Sequence, residues 1–292
     1  GFQNFSIDFT KGLQQSNLFA LYGPNGCGKS SILQAIGILG IAHRFKYDTS
    51  GNLFRKLTYH QDYNATYQEL LIHEGILNIN KMKISGIFDV DGKKAEVIIT
   101  DEGTQKNEIP ENCIFQIDAD HPNHMHTFQL PAEKAYQFLD MAETIYTYDV
   151  DLGEPCDARF NFLTEEHLEE NFDDLCFYTD LVLVKEDGTR VHYKRMSDGE
   201  RKIATLLRVL CDPDKLGNSD IILIDNVEMH AYFKRHPLMI DKITQNFPDK
   251  QFITTTHSSV LVGIEDGKGY LPKETTFEID KLKEQFVKES RV

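Results

Sequence analysis

The sequence lacks any apolar run that approaches the roughly 20 residues of a membrane-spanning helix. Its start also lacks the basic stretch and apolar core of a signal peptide. The five cysteines are odd in number and include no CxxC pair, which argues against a disulfide framework and against a structural zinc site. We therefore expect a cytoplasmic protein with reduced cysteines and no membrane partner.

Positive charge is also scarce, since 31 Lys and Arg residues face 46 Asp and Glu residues, a formal net charge of −15. A protein that binds nucleic acid through its general surface needs a positive footprint. The net charge therefore does not support a nucleic-acid partner, although local basic clusters such as Tyr193-Lys194-Arg195 could line a groove. Solvated surface charge is the favoured interpretation of these clusters.

The most informative stretch that is present is GPNGCGKS, from Gly23 to Ser30. An apolar run, Leu18 to Leu21, precedes it and an apolar-periodic segment follows, which predicts a strand, a loop and a helix. In such a loop the backbone N–H groups point at phosphate oxygens, Lys29 reaches the β- and γ-phosphates, and the Ser30 hydroxyl sits on a magnesium ion. The predicted ATP-binding residues are Asn25, Gly26, Cys27, Gly28, Lys29, Ser30 and Ser31.

Two later segments place polar side chains at the ends of predicted strands. The continuous apolar run Ile221 to Asp225 predicts a buried parallel strand that ends in a carboxylate, at the edge where α/β sheets bind ligands. Asp225 is thus the expected magnesium partner of the phosphate loop. The strand Gln251 to Thr255 leads to His257 at the same edge; a lone histidine is usually structural, but this position favours a contact with the nucleotide.

The segment Met196 to Leu210 predicts a helix that opens with Ser197, Asp198, Gly199 and Glu200. By itself this pattern fits a well-capped amphipathic helix without chemistry equally well.

Alternation, periodicity and turn residues predict the remaining elements. They are a strand at Phe5 to Phe9, a hairpin at Lys81 to Thr100 turning at Asp91-Gly92, a strand at Cys113 to Ile117, helices at Ala132 to Tyr148, Leu168 to Phe177 and Tyr232 to Asn246, and a hairpin at Leu181 to Val184 and Val191 to Lys194 turning at Asp187-Gly188. The run HPNHMH, His121 to His126, has a spacing that a metal could use, but it reads as a loop without a nearby fourth ligand.

Taken in order, these motifs resemble the ATPase heads of the ABC superfamily, in particular the soluble branch of RecF, the SMC proteins and the OLD-type and phage-defence ATPases. The similar segments are Walker A (GPNGCGKS), the Q-loop glutamine (Gln116), the signature (SDGE), Walker B (ILID, ending at Asp225) and the switch-histidine loop (TTTHS around His257). The resemblance implies an α/β P-loop ATPase head with a mixed β-sheet core, N-terminal antiparallel strands and a helical signature subdomain. We expect one head over residues 1–292, with its core at 1–117 and 218–292 and the subdomain at 118–217.

The resemblance also implies ATP and Mg²⁺ as cofactors, with Ser30, Gln116 and Asp225 at the metal. Two heads would form a homodimer or higher homo-oligomer, each ATP lying between Walker A of one chain and the signature of the other. Ser197, Asp198, Gly199 and Glu200 would then contact the partner's ATP, and His257 the ATP of its own chain.

One departure concerns the catalytic carboxylate. The family usually places Glu directly after the Walker B Asp as the base that activates water, whereas this chain has Asn226, whose amide cannot accept the proton. Glu228 lies two residues further, in DNVEMH, which is similar to the DEPEIH run of OLD-like ATPases. Either Glu228 substitutes as the base, or hydrolysis is slow; the catalytic candidates are Asn226, Glu228 and His257.

The other departure concerns length, because 167 residues separate Ser30 from Ser197 and no sustained heptads occur, so the coiled-coil arms of SMC proteins are not expected. The 35 residues after His257 are too few for the nuclease domain of OLD-type proteins, so an effector nuclease or toxin is expected in trans. The resemblance thus favours an ATP-dependent dimeric switch in phage defence or DNA maintenance. The alternatives are a nucleotide-stabilised scaffold without significant turnover and a RecF-type DNA-binding repair ATPase.

Overall fold

The computed structural model describes residues 5–40, 42, 83–100, 103–117, 128–130, 132–149, 154–155, 159–163, 177–178, 180–184, 188–216, 219–228, 233–263 and 269–283. The helices in this part of the chain include α1 (Lys29–Gly40), α2 (Ala132–Thr147), α3 (Asp198–Cys211), α4 (Pro213–Leu216), α5 (His236–Asn246) and α6 (Ser259–Val262), and residues 279–283 are also helical. The strands are β1 (Leu18–Tyr22), β2 (Lys83–Val90), β3 (Lys93–Thr100), β4 (Gly103–Asn107), β5 (Ile114–Ile117), β6 (Phe128–Gln129), β7 (Tyr148–Asp149), β8 (Glu154–Pro155), β9 (Arg159–Leu163), β10 (Phe177–Tyr178), β11 (Asp180–Val184), β12 (Arg190–His192), β13 (Ile221–Ile224), β14 (Gln251–Thr256) and β15 (Thr276–Glu278).

A parallel sheet of five strands, in the order β15-β1-β14-β13-β5, forms the centre of the molecule. Residues Leu18 to Leu21 of β1 are fully buried, as are Phe252 and Thr254 to Thr256 of β14. Continuous burial of this kind is what a parallel strand needs when both faces of its sheet are covered. The sheet therefore places the ends of β1, β13 and β14 side by side at one edge.

Each face of the sheet carries its own layer. Helix α1 packs on one face together with the antiparallel sheet β2-β3-β4. Helices α2, α3 and α5 pack on the other face, where Leu207 of α3 and Met239 of α5 are fully buried. The fold is thus the predicted α/β architecture with a mixed set of strands and N-terminal antiparallel strands.

The predicted hairpin at Lys81 to Thr100 is confirmed as β2 and β3. Its turn has positive φ at both central residues, 52° at Asp91 and 74° at Gly92, the combination that a tight two-residue hairpin turn requires. The Asp89 carboxylate accepts a hydrogen bond from the Gly92 N–H at 2.8 Å.

The strand predicted at Phe5 to Phe9 is wrong, because residues 5–17 contain no strand. Both edges of β1 are already occupied, by β14 and by β15. Phe9 packs instead edge-on against Phe19 and Phe277, with ring centroids 5.8 and 5.3 Å away. The alternating apolar residues therefore serve side-chain packing and not strand pairing.

Several helices and strands begin or end at other residues than the sequence predicted. The second strand of the hairpin, predicted to end at Lys194, ends at His192 and is followed by a 3₁₀ turn at Tyr193–Arg195. Phe177 lies in β10 instead of at the end of a helix. The helix predicted to start at Tyr232, which lies outside the described residues, is a 3₁₀ turn at Phe233–Arg235 and becomes α-helical (α5) at His236, since Pro237 favours the first turn of a helix. The rest of the predicted helix at Leu168 to Phe177 and the run His121 to His126 lie outside the described residues.

Among the helices that the structure describes, none combines the length and the apolarity needed to cross a bilayer. The predicted division into a core and a signature subdomain at 118–217 stays a prediction. Within that range, the described residues form the three-stranded sheet β12-β11-β9 as well as α2 and α3.

Candidate nucleotide-binding site

The loop between β1 and α1 has the backbone of a phosphate loop. Gly26 and Gly28 have φ of 77° and 104°, a left-handed conformation that glycine adopts without a steric cost. A Cβ atom added at Gly26 would meet nothing within 4 Å, so the outer face of this loop is open. Successive backbone N–H groups in such a turn can converge on an anion, with the start of α1 directly behind them.

The Lys29 side chain lies inside this loop and is only 5% exposed. Its ammonium group donates to the Gly23 carbonyl at 2.8 Å and to the Pro24 carbonyl at 3.1 Å. These contacts satisfy two of its three donors and hold a buried positive charge where the resemblance implies the β- and γ-phosphates.

Asp225 follows β13 at the same edge and joins the first turn of α1 to β14. Its Oδ1 accepts hydrogen bonds from the Ser30 hydroxyl at 3.2 Å and from the Thr255 hydroxyl. The sequence predicted the pairing of Ser30 with Asp225, whereas it assigned no role to Thr255. The sequence signal for Thr255 is a run of three threonines at the end of a buried strand.

Asn226 occupies the turn after Asp225 with a φ of 50°, in the left-handed region that asparagine tolerates better than most residues. Its backbone N–H donates to the Thr255 hydroxyl at 2.8 Å, and its side-chain oxygen lies 3.5 Å from the same hydroxyl. The residue at the position of the usual catalytic glutamate thus also shapes the turn that holds Asp225.

Glu228 connects this turn to the segment that follows β14. Its Oε1 accepts a hydrogen bond from the backbone N–H of His257 at 2.5 Å. Glu228 is 9% exposed, and its Oε2 is buried without a hydrogen-bond partner among the residues that the structure describes. His257 itself is exposed, while the next residue, Ser258, is bonded to the buried His236 ring at 2.7 Å. The carboxylate of Glu228 therefore helps to fix the backbone that presents His257.

Gln116 lies on β5, in register with Leu223, two residues before Asp225. Its side-chain Oε1 is buried and has no hydrogen-bond partner among the described atoms. A buried acceptor of this kind costs free energy unless another group satisfies it.

Ser197 is exposed at the start of α3, where it forms a capping box with Glu200. The Glu200 carboxylate accepts from the Ser197 N–H at 2.6 Å and from its hydroxyl at 2.8 Å. Further along α3, Lys202, Ile203 and Leu206 line a shallow depression together with residues 224–227. Helix α3 thus lies beside the segment that follows β13 in the same chain.

Mg²⁺ prefers hard oxygen ligands. Ser30 and Asp225 bring a hydroxyl and a carboxylate together, and Gln116 holds a buried amide oxygen on the adjacent strand β5. The unsatisfied oxygen of Gln116 and the short distance between Ser30 and Asp225 fit that preference. The open glycine loop and the buried Lys29 ammonium likewise fit a polyphosphate. No group of three or more His, Cys, Asp and Glu side chains suited to a metal occurs in the described ranges.

In a comparison with known proteins, the family model described as the RecF/RecN/SMC N-terminal domain matches residues 1–267. The chain belongs to this family. It is a member of the ABC-type ATPase fold group that the motifs predicted, and the predicted fold class is confirmed.

Individual relatives are distant. A retron Vc95 probable ATPase of Vibrio cholerae is 27% identical over 94 residues, which are 29% of this chain and 18% of that protein. The chain thus matches less than a fifth of the length of this curated relative. The SMC head domain of Thermotoga maritima shares 14% identity with a TM-score of 0.43, covering 84% of this chain and 82% of that one. A Pyrococcus furiosus SMC head with an extended coiled coil, bound to the C-terminal domain of ScpA, shares 10% identity with a TM-score of 0.47, covering 95% and 94%.

Proposed function

We propose that the chain binds ATP with Mg²⁺ at the edge formed by β1, β13 and β14, hydrolyses it slowly, and acts as a dimeric switch. The observation that carries the proposal is the contact of Ser30 and Thr255 with Asp225 beside the loop that encloses Lys29.

In this proposal, positively charged and N–H groups bind the phosphates, and oxygen ligands bind the metal. Lys29 and the loop N–H groups neutralise the phosphates, and Ser30, Asp225 and Gln116 hold the metal. When bound, Mg²⁺ supplies Lewis-acid polarisation of phosphoryl oxygens. His257, exposed beside the site, offers a further donor on a backbone that Glu228 fixes.

Slow turnover is proposed because Asn226 cannot act as a general base. Glu228, the other candidate, already accepts the His257 N–H through one oxygen. A measurement of phosphate release together with ATP affinity tests this proposal. We expect clear ATP binding and a rate below the roughly 1 to 10³ s⁻¹ of ordinary enzymes. Absence of ATP binding would reject the proposal.

Asn226, which cannot act as a general base, also favours a second function, namely a scaffold that ATP holds together without significant turnover. In that case phosphate release would not exceed the rate of a Lys29→Ala variant, whereas a switch would release phosphate faster than this variant.

The proposed dimer predicts that a large residue at position 197 prevents ATP-dependent association. If the exposed start of α3 meets the ATP of a second head, the bulk and charge of Ser197→Arg should prevent ATP-dependent dimers while monomers still bind ATP. Light scattering with ATP and Mg²⁺ measures the mass directly, and Ser85→Arg on the exposed side of β2 is the control for an added arginine.

Loss of the cap costs about 1 kcal/mol, so thermal unfolding should show that Ser197→Arg is still folded. Equal dimerisation of this variant and the wild type would mean that the Ser197–Glu200 capping box only starts a helix.

We further propose that the nucleotide state controls a separate effector, a nuclease or a toxin, in phage defence or DNA maintenance. This setting is supported by the resemblance of the motifs and by a relative that is named as a retron's probable ATPase. Co-purification of the chain with a second protein, in amounts that change between ATP and ADP, would test it.

A further inference from the structure

The segment that follows β15 lies against the back of the phosphate loop. Strand β15 is the outer neighbour of β1, and Glu278 is in register with Tyr22, the last residue before the loop. Residues 279–283 are helical, and Ile279 is fully buried in the same cluster as Leu21 and Cys27. A Cβ atom added at Gly23 would come within 4.0 Å of the Ile279 nitrogen, so the two segments are in close approach.

Two polar contacts tie this segment to the loop. The Tyr22 hydroxyl donates to the Glu278 carboxylate at 3.0 Å, and burial together with this acceptor raises the pKa of Tyr22 to about 12, so it stays a donor at neutral pH. At the other end, the Lys283 ammonium group donates to the backbone carbonyl of Cys27. Cys27 lies between the two left-handed glycines, Gly26 and Gly28.

We propose that Lys283 is a positioning residue for the phosphate loop. A loop that turns its N–H groups inward leaves carbonyls on its outer side, and these need partners of their own. Lys283 supplies a charged donor to one of them, which favours the conformation that receives an anion. This inference rests on the proposed ATP binding for its consequence, but the contact itself is a property of the chain without nucleotide.

The first test therefore uses no nucleotide. Hydrogen–deuterium exchange of a peptide covering residues 23–31 should be about tenfold faster in Lys283→Met than in the wild type, since a charge-assisted hydrogen bond is lost. Lys281→Met is the matched control, because Lys281 is exposed on the same helical segment and contacts Glu278 instead of the loop. Unchanged exchange in Lys283→Met, or equal acceleration in both variants, would overturn the proposal whether or not the chain binds ATP.

The second test measures ATP affinity by calorimetry. We expect Lys283→Met to bind ATP about tenfold more weakly, Lys281→Met to match the wild type, and Lys283→Arg, which keeps a charged donor, to restore most of the affinity. Equal affinities in Lys283→Met and the wild type would overturn the positioning role. A wild type that binds no ATP would instead reject the proposed function, leaving the exchange experiment to decide on Lys283.

Discussion

Replacing Lys29 by Ala should weaken ATP binding by about 30- to 4000-fold, because truncating one partner of a buried charge pair costs about 2 to 5 kcal/mol. Its ammonium group is 5% exposed and is held by the carbonyls of Gly23 and Pro24. Calorimetric titration with ATP and Mg²⁺ measures the loss, and Lys11→Ala, at a side chain that is 79% exposed, is the control.

Because Lys29 is buried, its truncation also leaves two loop carbonyls unpaired. Lys29→Met also leaves these carbonyls unpaired, but it keeps most of the side-chain volume. It should therefore lose ATP binding to the same extent while unfolding at a higher temperature than Lys29→Ala. Unchanged affinity in both variants would show that the Gly23 to Ser30 loop does not bind the phosphates.

The second large effect is expected on the rate of phosphate release, because Asn226 stands where a general base is expected. Loss of general-base assistance typically costs about 10²- to 10⁴-fold in rate, so Asn226→Glu should accelerate phosphate release by a factor in that range. The left-handed backbone at Asn226 costs a longer side chain about 1 to 2 kcal/mol. Asn226→Gln carries the same backbone cost without a carboxylate and is the matched control, which should stay as slow as the wild type.

Glu228 separates the two interpretations of slow turnover. Glu228→Gln keeps an oxygen that can accept the His257 N–H but removes the carboxylate, so it should change the rate little if Glu228 only positions His257. Glu228→Ala should slow the reaction, because the backbone that presents His257 loses its partner. A wild type that turns over quickly and that Glu228→Gln stops would identify Glu228 as the catalytic base and contradict the slow switch.

The parts of the site that the sequence predicted are those that depend on local pattern. The phosphate loop with Lys29 and Ser30 is encoded in eight adjacent residues. Asp225 and His257 were placed at the same edge because parallel strands end together, and the register of β13, β14 and β1 confirms this placement.

The contacts that the sequence did not reveal depend on pairing between distant segments. Thr255 meets Asp225, and the His257 N–H meets Glu228, because β13 and β14 lie side by side in one particular register. The contact of Lys283 with Cys27 likewise spans 256 residues. Local patterns carry no information about such registers.

The failed strand at Phe5 to Phe9 has the same origin. Alternation of apolar residues predicts a half-buried strand, yet a strand also needs a free edge to pair with. The two edges of β1 are filled by β14 and by β15, which come from the last part of the chain.

At Asn226 the sequence predicted only part of the residue's role. The amide side chain indicated that the usual general base is missing, but it did not reveal the left-handed turn that Asn226 also forms.

In the proposed function, Ser30 and Asp225 hold a metal beside the phosphates of ATP. The most direct test compares ATP affinity with and without Mg²⁺ in the wild type, in Asp225→Asn and in Asp220→Asn, an exposed aspartate before the same strand. We predict that Mg²⁺ tightens ATP binding about tenfold in the wild type and in Asp220→Asn, but not in Asp225→Asn, because the amide carries no charge to hold the ion. An equal effect of Mg²⁺ on all three proteins would contradict the claim.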